Sequence, residues 1–113
     1  MELYCKLFID SSMPKESLES LIVKVVSGDF DGFTISCSVC EIDIQENEEW
    51  DSSRVGEPDG FLSARFFADV EPVSGCGPQR YVDMVTNVVR ELKRSGCMVV
   101  PSCDFEDAII AKL

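Results

Sequence analysis

The stretch Phe33-Thr-Ile-Ser-Cys-Ser-Val-Cys-Glu-Ile-Asp-Ile44 decides the fold. Its first half alternates as a strand requires: Phe33, Ile35, Cys37 and Val39 share one face, because successive side chains of a strand point to opposite sides. The phase then flips, and Ile42 and Ile44 carry the apolar pattern on even positions. One continuous strand is predicted. Either a bulge near Cys40 reconciles its halves, or Glu41 and Asp43 occupy a face that has become exposed to solvent. Cys37-x2-Cys40 has the spacing of a zinc knuckle. On a strand, however, residues three apart point to opposite faces, and no Gly or Pro lies between them to turn the chain. The cysteines are therefore expected as small buried apolar side chains. Cys76, flanked by Gly75 and Gly77, is expected in a loop as the most exposed thiol.

Toward the N-terminus, Leu3, Cys5, Leu7 and Ile9 alternate with Tyr4, Lys6 and Phe8, which predicts a first strand ending at Asp10-Ser-Ser12. Ser12 suits a helix N-cap and Pro14 a first helical turn. Leu18, Leu21, Ile22, Val25 and Val26 then form a helical stripe that Gly28 ends. Toward the C-terminus, Asp59-Gly60-Phe61 opens a strand with Leu62, Ala64, Phe66, Ala68 and Val70 inward. Ser63, Arg65, Phe67, Asp69 and Glu71 face outward, and Pro72 ends the run. Pro78 starts a second helix with the stripe Tyr81, Val82, Val85, Val88, Val89 and Leu92, capped at Gly96. Cys97–Ser102 is a last strand, followed by a short apolar tail that forms a final helical turn or frays.

The order β-α-β-β-α-β predicts an α+β chain. A single ferredoxin-like domain over residues 1–113 is expected: a two-layer sandwich with a four-stranded antiparallel sheet and two helices on one face. The other face should be open, with Tyr4, Phe8 and Phe67 on it.

Charge limits the function. There are 21 acidic against 10 basic residues, a net charge of −11, and no histidine. Such a surface repels a phosphate backbone, which argues against nucleic-acid binding. No apolar run approaches the ~20 residues of a membrane span. The N-terminal Met1–Lys6 segment lacks an apolar leader core, so the cytoplasm is the expected location. Without histidine the usual proton shuttle near neutral pH is missing. Nucleophile-elbow, P-loop and dinucleotide motifs are also missing, so neither catalysis nor a cofactor is expected. Residues 45–60 form a long polar connection carrying Glu46, Glu48, Glu49 and Asp51 around the only tryptophan, Trp50. Long loops in compact domains are often functional. Trp50 either projects as an interface anchor or folds back beside Phe67. Glu41 and Asp43 share a strand face, as do Asp69 and Glu71 on the neighbouring strand. Four acids there repel one another unless a cation or a basic partner neutralises them.

The segments Glu41-Ile-Asp-Ile44, Glu57-Pro-Asp-Gly-Phe-Leu62, Asp69-Val-Glu-Pro72, Tyr81-Val82 and Cys103-Asp-Phe-Glu-Asp107 together resemble a family of small uncharacterised bacterial proteins. In size and acidity the chain also resembles the immunity proteins of polymorphic-toxin and contact-dependent inhibition systems. That resemblance implies a single-domain cytosolic inhibitor of a cognate toxin, often a nuclease. The partner-binding residues expected on this reading are Glu41, Asp43, Glu46, Glu48, Glu49, Trp50, Asp51, Asp69 and Glu71, gripping a basic protein. One alternative is a homodimer whose open sheet faces pair and bind a small molecule. A second is a small enzyme using carboxylates or Cys76.

Overall fold

The computed structural model describes residues 2–113. Six strands form one sheet: β1 (Cys5–Asp10), β2 (Asp29–Phe30), β3 (Thr34–Ser36), β4 (Cys40–Glu46), β5 (Phe66–Pro72) and β6 (Met98–Ser102). Their order is β2-β3-β4-β5-β1-β6, and every neighbouring pair is antiparallel. Three helices, α1 (Lys15–Val26), α2 (Pro78–Arg94) and α3 (Glu106–Ala111), complete the fold. The expected class, α+β, holds. The expected four-stranded ferredoxin-like sandwich does not: the sheet has six strands and there are three helices.

The difference arises where a single strand is expected. Residues 33–44 are not one strand. The chain reverses between β3 and β4, with the Cys37 amide donating to the Cys40 carbonyl at 3.0 Å. The phase flip is this reversal, not a bulge. The turn uses no glycine, no proline and no residue of positive φ, so none of the usual hairpin signals announces it. Tertiary contacts hold it instead. Val39 is buried, and its carbonyl accepts the Val73 amide at 3.0 Å and the Cys76 thiol at 3.4 Å. Cys76 is therefore half-buried against the turn, as Cys37 and Cys103 also are half-buried.

β2 is the second added strand. Asp31 and Gly32 turn it into β3: the Asp31 carboxylate accepts the amides of Phe33 and Thr34, both at 2.8 Å, and Gly32 has φ +99°. Gly28 precedes β2 where no side chain fits, because a Cβ there would lie 2.6 Å from the Ser36 carbonyl oxygen.

The predicted stripes are otherwise found in place. Tyr81, Val82, Val85, Val88, Val89 and Leu92 are all buried on α2, and Leu18, Ile22 and Val26 on α1. They meet Cys5, Leu7 and Ile9 of β1, Cys40, Ile42 and Ile44 of β4, and Phe66, Ala68 and Val70 of β5 in one core. Helix α1 begins after Pro14, not Ser12, and two backbone amides, of Ser17 and Leu18, bond the Pro14 carbonyl at 3.1 Å. The apolar tail is helix α3, whose Ile109 is buried, while Phe105 just before it meets Tyr81 edge-on at 5.8 Å.

β5 starts at Phe66, five residues later than Phe61; residues Gly60–Ser63 form a 3-10 turn. Gly60 is required there, because a Cβ would collide with the carbonyls of Arg54 and Val55. Among the described residues, no helix is long and apolar enough to cross a membrane.

Candidate functional site: a carboxylate basin on the outer sheet face

The helices cover one face of the sheet. The other carries Tyr4 beside β1, then Lys6 and Phe8 of β1, Glu41 and Asp43 of β4, and Phe67, Asp69 and Glu71 of β5. Part of this face is closed. The long connection before β5 folds over it and sets Phe61 edge-to-face on Phe8 at 5.3 Å, leaving Phe8 buried. The uncovered part is acidic. Tyr4, Glu41, Asp43, Asp69 and Glu71 line a shallow basin of about 300 Å³.

Register creates this basin. Glu41 stands directly opposite Glu71, and Asp43 directly opposite Asp69. Directly opposed side chains on an antiparallel pair have Cβ atoms about 5 Å apart, and like charges there destabilise the sheet. At about 5 Å, two unit charges repel by about 1 kcal/mol in bulk water and about 3 kcal/mol at an effective dielectric of 20. Two hydroxyls relieve part of this. Thr34 donates to Asp43 at 2.6 Å, and Tyr4 donates to Asp69. Burial, then the bond to Asp69, holds the Tyr4 phenol in its protonated, donating form well past the usual range.

No cation joins them. Among the described residues the ion pairs are Arg54–Glu57, Glu91–Arg94 and Asp83–Lys112, all elsewhere. Lys6 is the β1 neighbour of Asp69. Its ammonium lies instead over the Phe67 ring at 4.2 Å and the Phe8 ring at 5.2 Å, a cation–π placement. The basin therefore presents four carboxylates without an internal counter-charge.

The remaining acids of the expected site are not there. Glu46 ends β4 opposite Phe66, and Glu48, Glu49, Trp50 and Asp51 follow in the connection. From Asp43 to Glu46 the strand advances about 10 Å. Trp50 neither projects freely nor packs on Phe67: it is 51% exposed, with the Arg65 guanidinium 5.5 Å from its ring centroid. Arg65 is held by the carbonyls of Ser11 and Met13 at 3.2 and 3.1 Å, and its amide by the Asp10 carboxylate at 2.9 Å. The nine residues thus divide into a basin of four and a group at the far end of β4.

One aromatic expected on a strand face with Ile35, Cys37 and Val39 stands elsewhere. Phe33 is 84% exposed at the tip of the β2–β3 hairpin, next to Thr34, whose hydroxyl bonds Asp43. Leaving a phenyl ring this exposed forgoes about 2 kcal/mol of burial. The Asp31-Gly32 turn signals the start of a strand, and that strand begins at Thr34, one residue after Phe33.

No family model, curated protein or solved structure matches this chain. What the basin can do rests on its own chemistry. Among the described residues, no three His, Cys, Asp or Glu side chains converge to hold one metal ion. The four carboxylates are spread along two strands. That spacing suits several separate cationic side chains better than one ion.

The hairpin carrying Phe33 has a pH limit. Hydrogen bonds from the amides of Thr34 and Phe33 hold the Asp31 carboxyl below its ordinary value. A carboxyl depressed in the folded state adds stability above its unfolded pKa and loses it as pH falls through the folded one. The β2–β3 hairpin should therefore loosen only below about pH 4. A carboxyl NMR titration of Asp31 checks this: a midpoint below the usual aspartate range is expected, and an ordinary or raised midpoint contradicts the turn.

Proposed function

We propose that this chain is a binding protein that neutralises a basic protein partner, of the type of toxin immunity proteins that block a nuclease-like toxin. One observation carries the reading: Glu41 opposes Glu71 and Asp43 opposes Asp69 with no lysine or arginine paired to any of them. A sheet face that sets like charges opposite one another is less stable than a mixed one. A partner's Lys and Arg side chains entering the basin would relieve that repulsion, so the free energy lost in folding is recovered in docking. Proteins that grip nucleic acid present such cations in a groove, and filling that groove blocks its substrate. The exposed Phe33 ring at the β2–β3 hairpin tip offers an apolar anchor, as interface hot spots commonly do. The net charge of −11 adds steering over longer range.

The homodimer alternative has less support. Phe61 covers Phe8, and a second copy on the remaining surface would bring four carboxylates against four more. The thiol-enzyme alternative loses its motive, since the Cys76 thiol is half-buried and donates to the Val39 carbonyl.

Genetic context tests the proposal. The gene beside this one is expected to encode a longer chain ending in a basic domain. Calorimetry should show that domain binding this chain one to one. A metabolic operon, or no heat of binding to the neighbouring product, contradicts the reading.

A further inference from the structure

The thiols of Cys5 and Cys103 lie 2.9 Å apart, although 98 residues separate them in sequence. The sheet itself brings them together. β1 and β6 run antiparallel with Lys6 opposite Ser102, and one further step in that register sets Cys5 opposite Cys103. Directly opposed residues in an antiparallel pair have Cα atoms about 4.5–5.5 Å apart, inside the 4.4–6.8 Å range that a disulfide spans. The sheet thus brings the two sulfurs to contact distance.

We propose that Cys5 and Cys103 are a reversible redox pair that small-molecule disulfides, such as oxidised glutathione, convert to an intramolecular disulfide. The two sulfurs have different roles. Cys5 is fully buried, and burial, then the bond to Cys103, keeps its thiol protonated. Burial raises the Cys103 thiol as well, with the Cys5 thiol and the Phe105 amide offsetting part of the rise, but Cys103 is only half-buried and is the more accessible of the two. Cys103 is thus the thiol that meets the oxidant.

Cys103 gives its proton to water, and the thiolate so formed attacks one sulfur of glutathione disulfide. A Cys103–glutathione mixed disulfide forms, and one glutathione leaves as thiolate and takes a proton from water. Cys5 then gives its proton to solvent and attacks the Cys103 sulfur, expelling the second glutathione thiolate. Two cysteine sulfurs lose two electrons and two protons, and one glutathione disulfide becomes two glutathione thiols.

The bond would join the start of β1 to the β6–α3 connection and close almost the whole chain into a ring. In the chain-entropy account, closing so long a loop restricts the unfolded state strongly. Cys37 and Cys40 form a second thiol contact, at 3.3 Å across the β3–β4 turn, but a ring that short restricts little. The two pairs are therefore separable by experiment.

The full-length chain is equilibrated against mixtures of oxidised and reduced glutathione, quenched with acid, alkylated under denaturing conditions and digested with trypsin. The expected product joins residues 1–6 to the fragment holding Cys103, two hydrogens lighter than the free pair, with Cys97 still carrying the alkyl label. Its appearance should raise the melting temperature by about 8–16 °C. The variant Cys103→Ser, at a half-buried position, should fold with a near-unchanged reduced melting temperature and lose both the linked peptide and the oxidation-dependent rise. Complete alkylation of Cys5 and Cys103 under oxidising mixtures, a disulfide confined to Cys37–Cys40, or a rise that persists in Cys103→Ser would each overturn the proposal.

Discussion

Glu41→Lys should make the isolated domain more stable and the complex with its partner weaker. Glu41 faces Glu71 across β4 and β5, with no cation paired to either. Lysine at 41 replaces a repulsion with a cross-strand attraction, each worth roughly 0.2–1 kcal/mol. The combined gain of about 0.4–2 kcal/mol corresponds to a melting temperature about 2–8 °C higher for a chain of this size. The sign is diagnostic, because most substitutions destabilise. The gain should shrink in about 1 M salt, where the Debye length falls to about 3 Å. The same change removes half of the basin's net charge and sets a cation where the partner's own must enter. Affinity should fall by at least about 10²-fold, close to 3 kcal/mol. A surface that serves only to keep the protein dissolved would show the first effect without the second. Scanning calorimetry and a binding titration on the same sample separate the two.

Tyr81→Ala should unfold the domain or nearly so. Tyr81 is fully buried, its hydroxyl donates to the Val70 carbonyl at 3.0 Å, and its ring meets Phe105 edge-on. One side chain of α2 therefore touches β5 and the entry to α3. Emptying such a site costs about 3–5 kcal/mol through lost burial and the cavity left behind. A domain's whole stability is only about 5–15 kcal/mol. Tyr81→Phe keeps the ring and removes only the hydroxyl, so its loss should be near 1 kcal/mol. Urea unfolding of both variants checks this. An alanine variant within about 1 kcal/mol of wild type would mean that α2 and α3 are not tied to the sheet through this residue.

The elements with sustained periodicity were legible from residues alone. The stripe from Tyr81 to Leu92 is buried at every expected position, and the alternation from Phe66 to Glu71 assigns inner and outer faces correctly. That alternation is also why the basin could be foreseen in part: Glu41 and Asp43, Asp69 and Glu71 had to fall on outer faces. Their direct opposition depends on register between two strands joined by a long connection, which no single strand encodes. The failure lay at Cys37–Cys40. A tight reversal usually needs Gly or Asn for positive φ, whereas this one is held by the buried Val39 and by its carbonyl's bonds to Val73 and Cys76. Those contacts come from 34 and 37 residues away and leave no local mark. The same error placed Phe33 inside a strand when it stands at a hairpin tip. The long connection between β4 and β5 is legible as such, but not its internal bonds. Asn47 near its start bonds the carbonyls of Leu62 and Ala64 near its end at 3.0 and 2.8 Å, so the connection is closed on itself by side-chain bonds that residue type alone does not announce.

Affinity of the wild-type chain and of Glu41→Lys for the neighbouring gene's basic domain, each at low and high salt, bears most directly on the role of the basin. A wild-type complex that weakens steeply with salt, and a variant that binds at least about 10²-fold less tightly at low salt while melting at a higher temperature, is the predicted result. Equal affinities for the two proteins, with the same response to salt, would show that the opposed carboxylates do not meet the partner.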